Sequence, residues 1–228
     1  MKKVTCFLPC RKGSERVPQK NIKKFANHEL GLIDIKLTQL QGVSSIEKIL
    51  VSSDDPEVLE RASVKRYTKV ILDSRPRHLA LSSTSTDELI SYVPSITRSP
   101  HILWTHVTSP FIDSAVYENA IFKYFEALDS DEYDSLMSVT KHQNFFWDKN
   151  GPYNYDPLSE KWPRTQTIEP IYEINSGFFI GQRTSYVEIN DRIGKKPLLF
   201  PVDGSCTLDI DWPEDFKLAE EIWRIRHG

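Results

Sequence analysis

Phe7-Leu-Pro-Cys-Arg-Lys-Gly-Ser-Glu-Arg-Val-Pro-Gln-Lys-Asn21 continues an apolar run that begins at Val4. The run Val4 to Leu8 does not alternate, so it predicts a strand buried on both faces, as in a parallel sheet covered by helices. The loop that follows gathers charge. Residues 11–24 hold six Lys and Arg (Arg11, Lys12, Arg16, Lys20, Lys23, Lys24) against Glu15 alone, a local balance of +5 in a chain whose formal charge is −3. A basic loop leaving the first strand of an otherwise acidic protein points to a polyanion site. Charge alone leaves a solvated basic turn as an equal alternative.

Outward from this loop, strands and helices alternate. Leu30 to Gln41 reads as a helix stopped by Gly42, and Ile46 to Ser52 as a second strand. Asp55-Pro56 starts a helix with a capping acid before a first-turn proline. Lys69 to Leu72 is a third strand. Ser85 and Glu88 have capping-box spacing and open a helix that Pro94 bends or ends. Ile102 to Val107 is a fourth strand, interrupted by Thr108-Ser109-Pro110. Tyr117, Ala120, Ile121, Tyr124, Phe125 and Leu128 then form one helical stripe. Ser135 to Val139, Ser176 to Gly181 and Pro197 to Val202 are further strands, and a helix through Leu218, Ala219, Ile222 and Trp223 closes the chain. The expected fold is α/β, a three-layer Rossmann-like arrangement with a mainly parallel sheet. Ligands of such sheets sit beyond the carboxyl ends of the strands. The basic loop, Ser52-Ser53-Asp54 and Thr108-Ser109-Pro110 are therefore expected at one rim.

Composition narrows the function classes. The 228 residues suit one domain, read here as residues 1–228, with 39% hydrophobic residues for a core. A pI near 6.1 argues against nucleic-acid binding. No run reaches membrane-helix length and no signal peptide is recognisable, so no membrane role is expected and the cytoplasm is the expected location. Three cysteines, Cys6, Cys10 and Cys206, form no Cys-x-x-Cys and suit reduced thiols. Cys10 lies in the basic loop, but no nearby histidine in sequence would activate it. The pattern fails over 141–174, a polar, aromatic stretch with Pro152, Pro157, Pro163 and Pro170. It reads as an arm leaving the sheet, and its aromatics are expected to face a second subunit over packing on their own core.

Asp209-Ile210-Asp211 is the second chemical feature. In extended backbone, period two places both carboxylates on one face about 7 Å apart. Beside a polyphosphate they suit magnesium, which takes one or two carboxylates plus phosphate and water. The alternative is a helix-capping cluster before Pro213. The basic loop is neither a Walker loop nor a Gly-x-Gly-x-x-Gly turn. Turn amides near Gly13 and Ser14, with Arg11 and Lys20, would still grip a triphosphate, Arg11 by its fork and Lys20 as a point charge.

Leu8-Pro-Cys-Arg-Lys-Gly-Ser-Glu-Arg-Val-Pro-Gln-Lys-Asn21, Val51-Ser-Ser-Asp54, Arg75-Pro-x-x-Leu-Ala80, Thr108-Ser-Pro110, Asn175-Ser-Gly177 and Asp209-Ile-Asp211 fall in one order along about 210 residues. In that order they resemble the motifs of the acylneuraminate cytidylyltransferases, or CMP-sialic acid synthetases, and of relatives acting on other nine-carbon ulosonic acids. The resemblance implies CMP transfer from CTP to the anomeric hydroxyl of an acidic sugar, with Mg2+ and release of pyrophosphate, in a homodimer. It assigns the triphosphate to Arg11 and Lys20, and the cytidine to Asn21, Arg75 and the loop holding Leu79, Ala80 and Ser82. It assigns the metal to Asp209 and Asp211, with Asp211 also assisting deprotonation, and the sugar acid to His106, Thr108, Ser109 and Asn175.

The chain departs from the family pattern at Cys10, Glu15, Ser82, His106, Ile112 and Glu173. Glu173 stands where an arginine contacting the sugar acid is common, and Arg164 in the arm is read as its replacement. Two alternatives remain at this point: a CMP-Kdo or other nucleotidyltransferase of the same fold, and a non-catalytic nucleotide or sugar-acid binding protein. Pro18-Gln-Lys20-Asn21 speaks against the first, and retention of Arg11, Lys20, Asp209 and Asp211 against the second.

Overall fold

The computed structural model describes residues 2–64 and 66–227. One sheet of seven strands runs through it. In chain order the elements are β1 (Val4–Pro9), α1 (Leu32–Gln41), β2 (Ile46–Ser53), α2 (Pro56–Ala62), β3 (Val70–Ser74), α3 (Thr86–Ile96), β4 (His101–Thr105), α4 (Ser114–Asp129) and β5 (Ser135–His142). Two-residue strands β6 (Trp147–Asp148) and β7 (Gly151–Pro152) follow, then β8 (Ile171–Gln182), α5 (Arg183–Glu188), β9 (Pro197–Pro201) and α6 (Pro213–His227).

The sheet order is β3-β2-β1-β4-β8-β5-β9. β8 alone runs antiparallel to its neighbours, so the sheet is mainly parallel and the Rossmann-like, three-layer architecture holds. Period two splits the central strands between two cores. Cys6 and Leu8 join Leu103, Phe178 and Ile180 on the side of α1, α2, α4 and α6. Phe7 joins Ile102, Trp104 and Phe179 on the side of α3 and α5. β1 is thus apolar throughout because both of its faces are covered.

Local signals act as their chemistry requires. Asp55 accepts from the Glu57 amide at 3.1 Å. Ser85 and Glu88 close a reciprocal capping box. Pro94 does not end its helix, which continues to Ile96. Asp113 caps α4, whose stripe of Tyr117, Ala120, Ile121, Tyr124 and Phe125 is buried as expected.

The chain leaves β1 for β2 and β3 on one side, then returns to β4 on the other. That reversal opens a crevice between β1 and β4 at their carboxyl ends. The fourth strand ends at Thr105, two residues earlier than its apolar run, which frees His106 and Val107 for the rim.

The excursion is shorter than 141–174. β5 extends to His142 and β8 begins at Ile171, where the two pair as a long hairpin. Residues 143–170 form the arm at its end. Phe145 packs edge-on against Tyr155 and Trp162, while Trp147, Tyr153 and Trp162 stay about two-thirds exposed.

Candidate active site

The basic loop is tied to its neighbours through its backbone. The Cys10 amide donates to Ser52 O at 2.9 Å, continuing the β1–β2 ladder. The Lys12 amide donates to Asp54 Oδ1 at 2.8 Å. Asn21 Nδ2 donates to Arg11 O at 3.0 Å, closing the loop on itself. From the other end of the chain, the Ile210 amide donates to Thr108 O at 2.9 Å. Lys20 Nζ donates to Ile210 O at 2.5 Å and lies 3.5 Å from Asp211. The three rim segments therefore meet, with the Asp209–Asp211 segment as a fourth.

They enclose a cavity of about 460 Å³. Of the residues read as site residues, Arg11, Ser14, Lys20, Asn21, Arg75, His106, Thr108, Asp209 and Asp211 line it. Others stand outside it. Leu79 and Ala80 are buried in a short helical turn and Ser82 is exposed. Ser109 is buried behind the rim. The Asn175 carboxamide is spent on Ser138, Thr140 and the Gly177 amide, and its neighbour Ser176 reaches the cavity instead. Arg164 is exposed on the arm.

The acid pair is not in a strand. Residues 209–211 are irregular, so the two carboxylates do not share a sheet face. They occupy different environments. Asp211 meets Arg16 at 3.2 Å as well as Lys20. Asp209 is more buried, and its Oδ1 has no hydrogen-bond partner among the described residues. Burial raises the Asp209 carboxyl above the ordinary carboxylate range, and Asp211 adds to this against Thr108 and Lys20. Helix capping falls to a third acid: Asp215 accepts from the Asp211 and Trp212 amides at 3.0 and 2.7 Å. No group of three His, Cys, Asp or Glu suited to a metal occurs among the described residues. An orphaned carboxylate oxygen beside a second carboxylate nonetheless suits a magnesium ion whose other ligands are phosphate and water.

Further cavity residues carried no distinct sequence signal. Arg16, one charge among six in the loop, stacks on Trp212 with its guanidinium carbon 4.7 Å from the ring centroid. Glu15, a departure from the family pattern, also lines the cavity. Trp104 donates its indole N–H to His106 Nε2 at 3.1 Å. An indole only donates, so Nε2 carries no proton. Burial, then Arg192 and other cations, pushes His106 down to about 3. Arg192 lies on the cavity wall, in the loop between α5 and β9.

Two groups are excluded from the chemistry by their surroundings. Burial pushes the Cys10 thiol up to about 12, so it is no thiolate nucleophile. Lys36 is fully buried and works behind the rim. It donates to Ser109 O, Ile112 O and Tyr117 Oη at 2.8, 3.0 and 2.9 Å. Tyr117 passes the chain to Thr105, which donates to Gly177 O at 2.7 Å.

The arrangement sets cations and a carboxylate pair around one cavity, chemistry suited to a polyanion, with neither Cys10 nor Lys36 serving as an activated nucleophile. That is the equipment of a transfer driven by positioning and charge. Comparison with known proteins agrees. Residues 5–223 match the family described as Cytidylyltransferase. The chain is similar to the pseudaminic acid cytidylyltransferase of Campylobacter jejuni subsp. jejuni serotype O:23/36, at 24% identity over 97% of each chain. It is 28% identical to the N-acylneuraminate cytidylyltransferase of Escherichia coli O18:K1:H7, over 96% of this chain and 52% of that one, so it spans about half of that relative. In fold it is similar to a CMP:2-keto-3-deoxy-manno-octonic acid synthetase solved with CTP, at TM-score 0.68 and 13% identity over 99% of this chain and 100% of the other.

Proposed function

We propose, for a chain that belongs to the cytidylyltransferase family, that the reaction is CMP transfer from CTP to the anomeric hydroxyl of a nine-carbon ulosonic acid. The observation that carries this is the meeting of Lys20, Asp209 and Asp211 beside Arg11 in one cavity at the β1–β4 crevice. Relatives named for pseudaminic acid and N-acylneuraminate support the substrate class.

In this scheme Arg75 and Asn21 face the cytidine, and Arg11, the Ser14 turn and Lys20 hold the triphosphate. The sugar hydroxyl attacks the α-phosphorus, the bond to the bridging oxygen breaks, and pyrophosphate leaves with that electron pair. The hydroxyl proton passes to Asp211 and on to solvent. Asp209 and Asp211 would hold Mg2+, which when bound neutralises charge on the phosphate oxygens. The arm over 143–170 serves as the contact surface of a homodimer, a role supported by its exposed tryptophans. The reaction is placed in the cytoplasm.

A pyrophosphate-release assay with CTP, Mg2+ and a panel of acidic sugars tests the reading. N-acetylneuraminate, pseudaminate, N,N'-diacetyllegionaminate and 3-deoxy-manno-octulosonate form the panel, and turnover with a nine-carbon acid is expected. Turnover with the eight-carbon acid alone would reassign the substrate, and nucleotide binding without any turnover would favour a sensor.

A further inference from the structure

Arg192 is a cation without a counter-ion. It makes no salt bridge and its side chain no hydrogen bond to any described residue, although it lines the cavity. Its guanidinium carbon lies 3.8 Å from the Phe179 ring centroid and 5.1 Å from that of Trp104. Two aromatic rings thus seat the guanidinium at the cavity wall, where N–H groups with no partner among the described residues suit a planar anion. Arg11 is likewise unpaired among the described residues, but it stands in the basic loop after β1 with no aromatic ring beneath it; the other two guanidinia of the cavity are engaged. Arg16 is paired with Asp211, and Arg75 donates to Ser52 Oγ and O at 3.0 and 2.6 Å.

The loop that carries Arg192 is built to stay in place. Asp134 accepts from the Lys195 and Lys196 amides at 2.8 and 3.0 Å. The Gly194 amide donates to Ser135 Oγ at 2.9 Å. Asp191 Oδ1 accepts from the Ile193 amide at 3.1 Å. Gly181 of β8 passes so close that a Cβ there would sit 3.0 Å from Arg192 O. A long, rotamer-rich side chain is therefore held at its backbone root and at its guanidinium end.

Position separates it from the nucleotide. Arg75 follows β3, and the basic loop follows β1. Trp104 and Phe179, which seat Arg192, belong to β4 and β8. A nucleotide reaching from Arg75 to Lys20 leaves the β4–β8 end of the cavity to the second substrate.

We infer that Arg192 binds the carboxylate of the acidic sugar and thereby selects acids over neutral sugars. This rests on the cytidylyltransferase reading above.

The test uses the full chain, wild type and Arg192→Gln, with saturating CTP and Mg2+, on the acid that the wild type turns over best and on its methyl ester. A charge-assisted bidentate contact predicts a KM for the acid raised roughly 10- to 100-fold in Arg192→Gln. The KM for CTP should stay within about twofold, and the wild-type preference for acid over ester should collapse. If Arg192→Gln does not fold, Arg192→Lys carries the test, since it keeps the charge but loses the fork: the KM for the acid should still rise while that for CTP does not. An unchanged KM for the acid, or a rise in the KM for CTP instead, overturns the inference and leaves the reaction standing. A wild type that turns over none of the acids overturns the reaction and the inference together.

Discussion

Lys20 and Asp211 come from opposite ends of the chain, and the Lys20 ammonium lies 3.5 Å from an Asp211 carboxylate oxygen while donating to the Ile210 carbonyl at 2.5 Å. One side chain thus joins the first loop to the last and brings a cation beside a carboxylate where triphosphate and metal would meet. Lys20→Met should lower kcat/KM by about 10²-fold or more, since preorganised charge is the main catalytic term in such sites. Lys20→Met and Asp211→Asn should not add: the double variant should be little worse than the worse single one. Pyrophosphate release from the four proteins measures the cycle, and strict additivity would show that the two act independently.

Asp209 gives a pH signature. Its carboxyl is raised in the fold by burial, so the native protein keeps this proton at a pH where the unfolded chain has lost it. Stability from this group therefore falls as pH climbs from the ordinary carboxylate range through the raised value. Asp209→Asn should remove that fall in a urea-unfolding series while lowering turnover about 10²-fold. Mg2+ with CTP should raise the Tm of the wild type and not of Asp209→Asn. Equal shifts in both proteins would remove Asp209 from the metal site.

His106 is expected to act as a fixed neutral acceptor. Burial comes first in pushing it down to about 3, followed by Arg192, Lys20, Lys36 and Arg75. Between its ordinary value near 6.5 and about 3, the unfolded chain takes up a proton that the native one refuses, so His106 withdraws stability as pH falls through that window. His106→Gln should abolish this share and retain most activity, because a carboxamide oxygen also accepts from Trp104. His106→Leu orphans that indole donor and should destabilise the protein by about 1–3 kcal/mol. A His106→Gln variant with the acid sensitivity of the wild type would refute the assignment.

The fold was legible because its signals are local. Apolar runs, the Asp55 and Ser85 caps and the Tyr117 to Phe125 stripe each follow from a few neighbouring residues. The rim was legible for a similar reason, since every strand of a parallel sheet delivers its following loop to the same end. Residues 209–211 lie outside any strand, held instead by Lys20 and Thr108, contacts from distant parts of the chain that local spacing does not reveal. Asn175 carries a site motif, yet its carboxamide is consumed by Ser138 and Thr140, which sequence order does not reveal. Arg192 is not legible in sequence because its seat on Phe179 and Trp104, without a salt bridge to any described residue, is set by packing between β4, β8 and the loop before β9.

The arm yields a prediction about assembly. Trp147 and Trp162 are 63% and 66% exposed, far more than the core aromatics. If they face a second copy, Trp147→Glu with Trp162→Glu should convert a dimer to monomers in sedimentation velocity without changing far-UV circular dichroism. A wild type that sediments as a monomer throughout the micromolar range would remove the arm's proposed role.

Lys36 sits in a helix stripe between Ile33 and Leu37, where spacing alone suggests an inward residue and charge argues against it. It is fully buried, and its Nζ lies within hydrogen-bond distance of Ser109 O, Ile112 O and Tyr117 Oη. These tie α1 to the turn whose Thr108 carbonyl positions Ile210, so Lys36 braces the rim from behind. Burial pushes its ammonium down to about 7, opposed by Cys6, Cys206 and Asp113. Between about 7 and the ordinary lysine value near 10.5 the unfolded chain holds a proton that the native one has released, so this group adds stability as pH rises through that window. Lys36→Met should flatten the rise. It should also destabilise the protein at pH 8 by about 2 kcal/mol or more, because two buried carbonyls lose their donor. Lower kcat/KM should accompany this, as the Thr108 turn and Ile210 lose their brace. Denaturant midpoints between pH 6 and 10 measure the first effect and pyrophosphate release the second. A Lys36→Met protein as stable and as active as the wild type, with an unaltered pH profile, would show that the buried Lys36 nitrogen braces nothing.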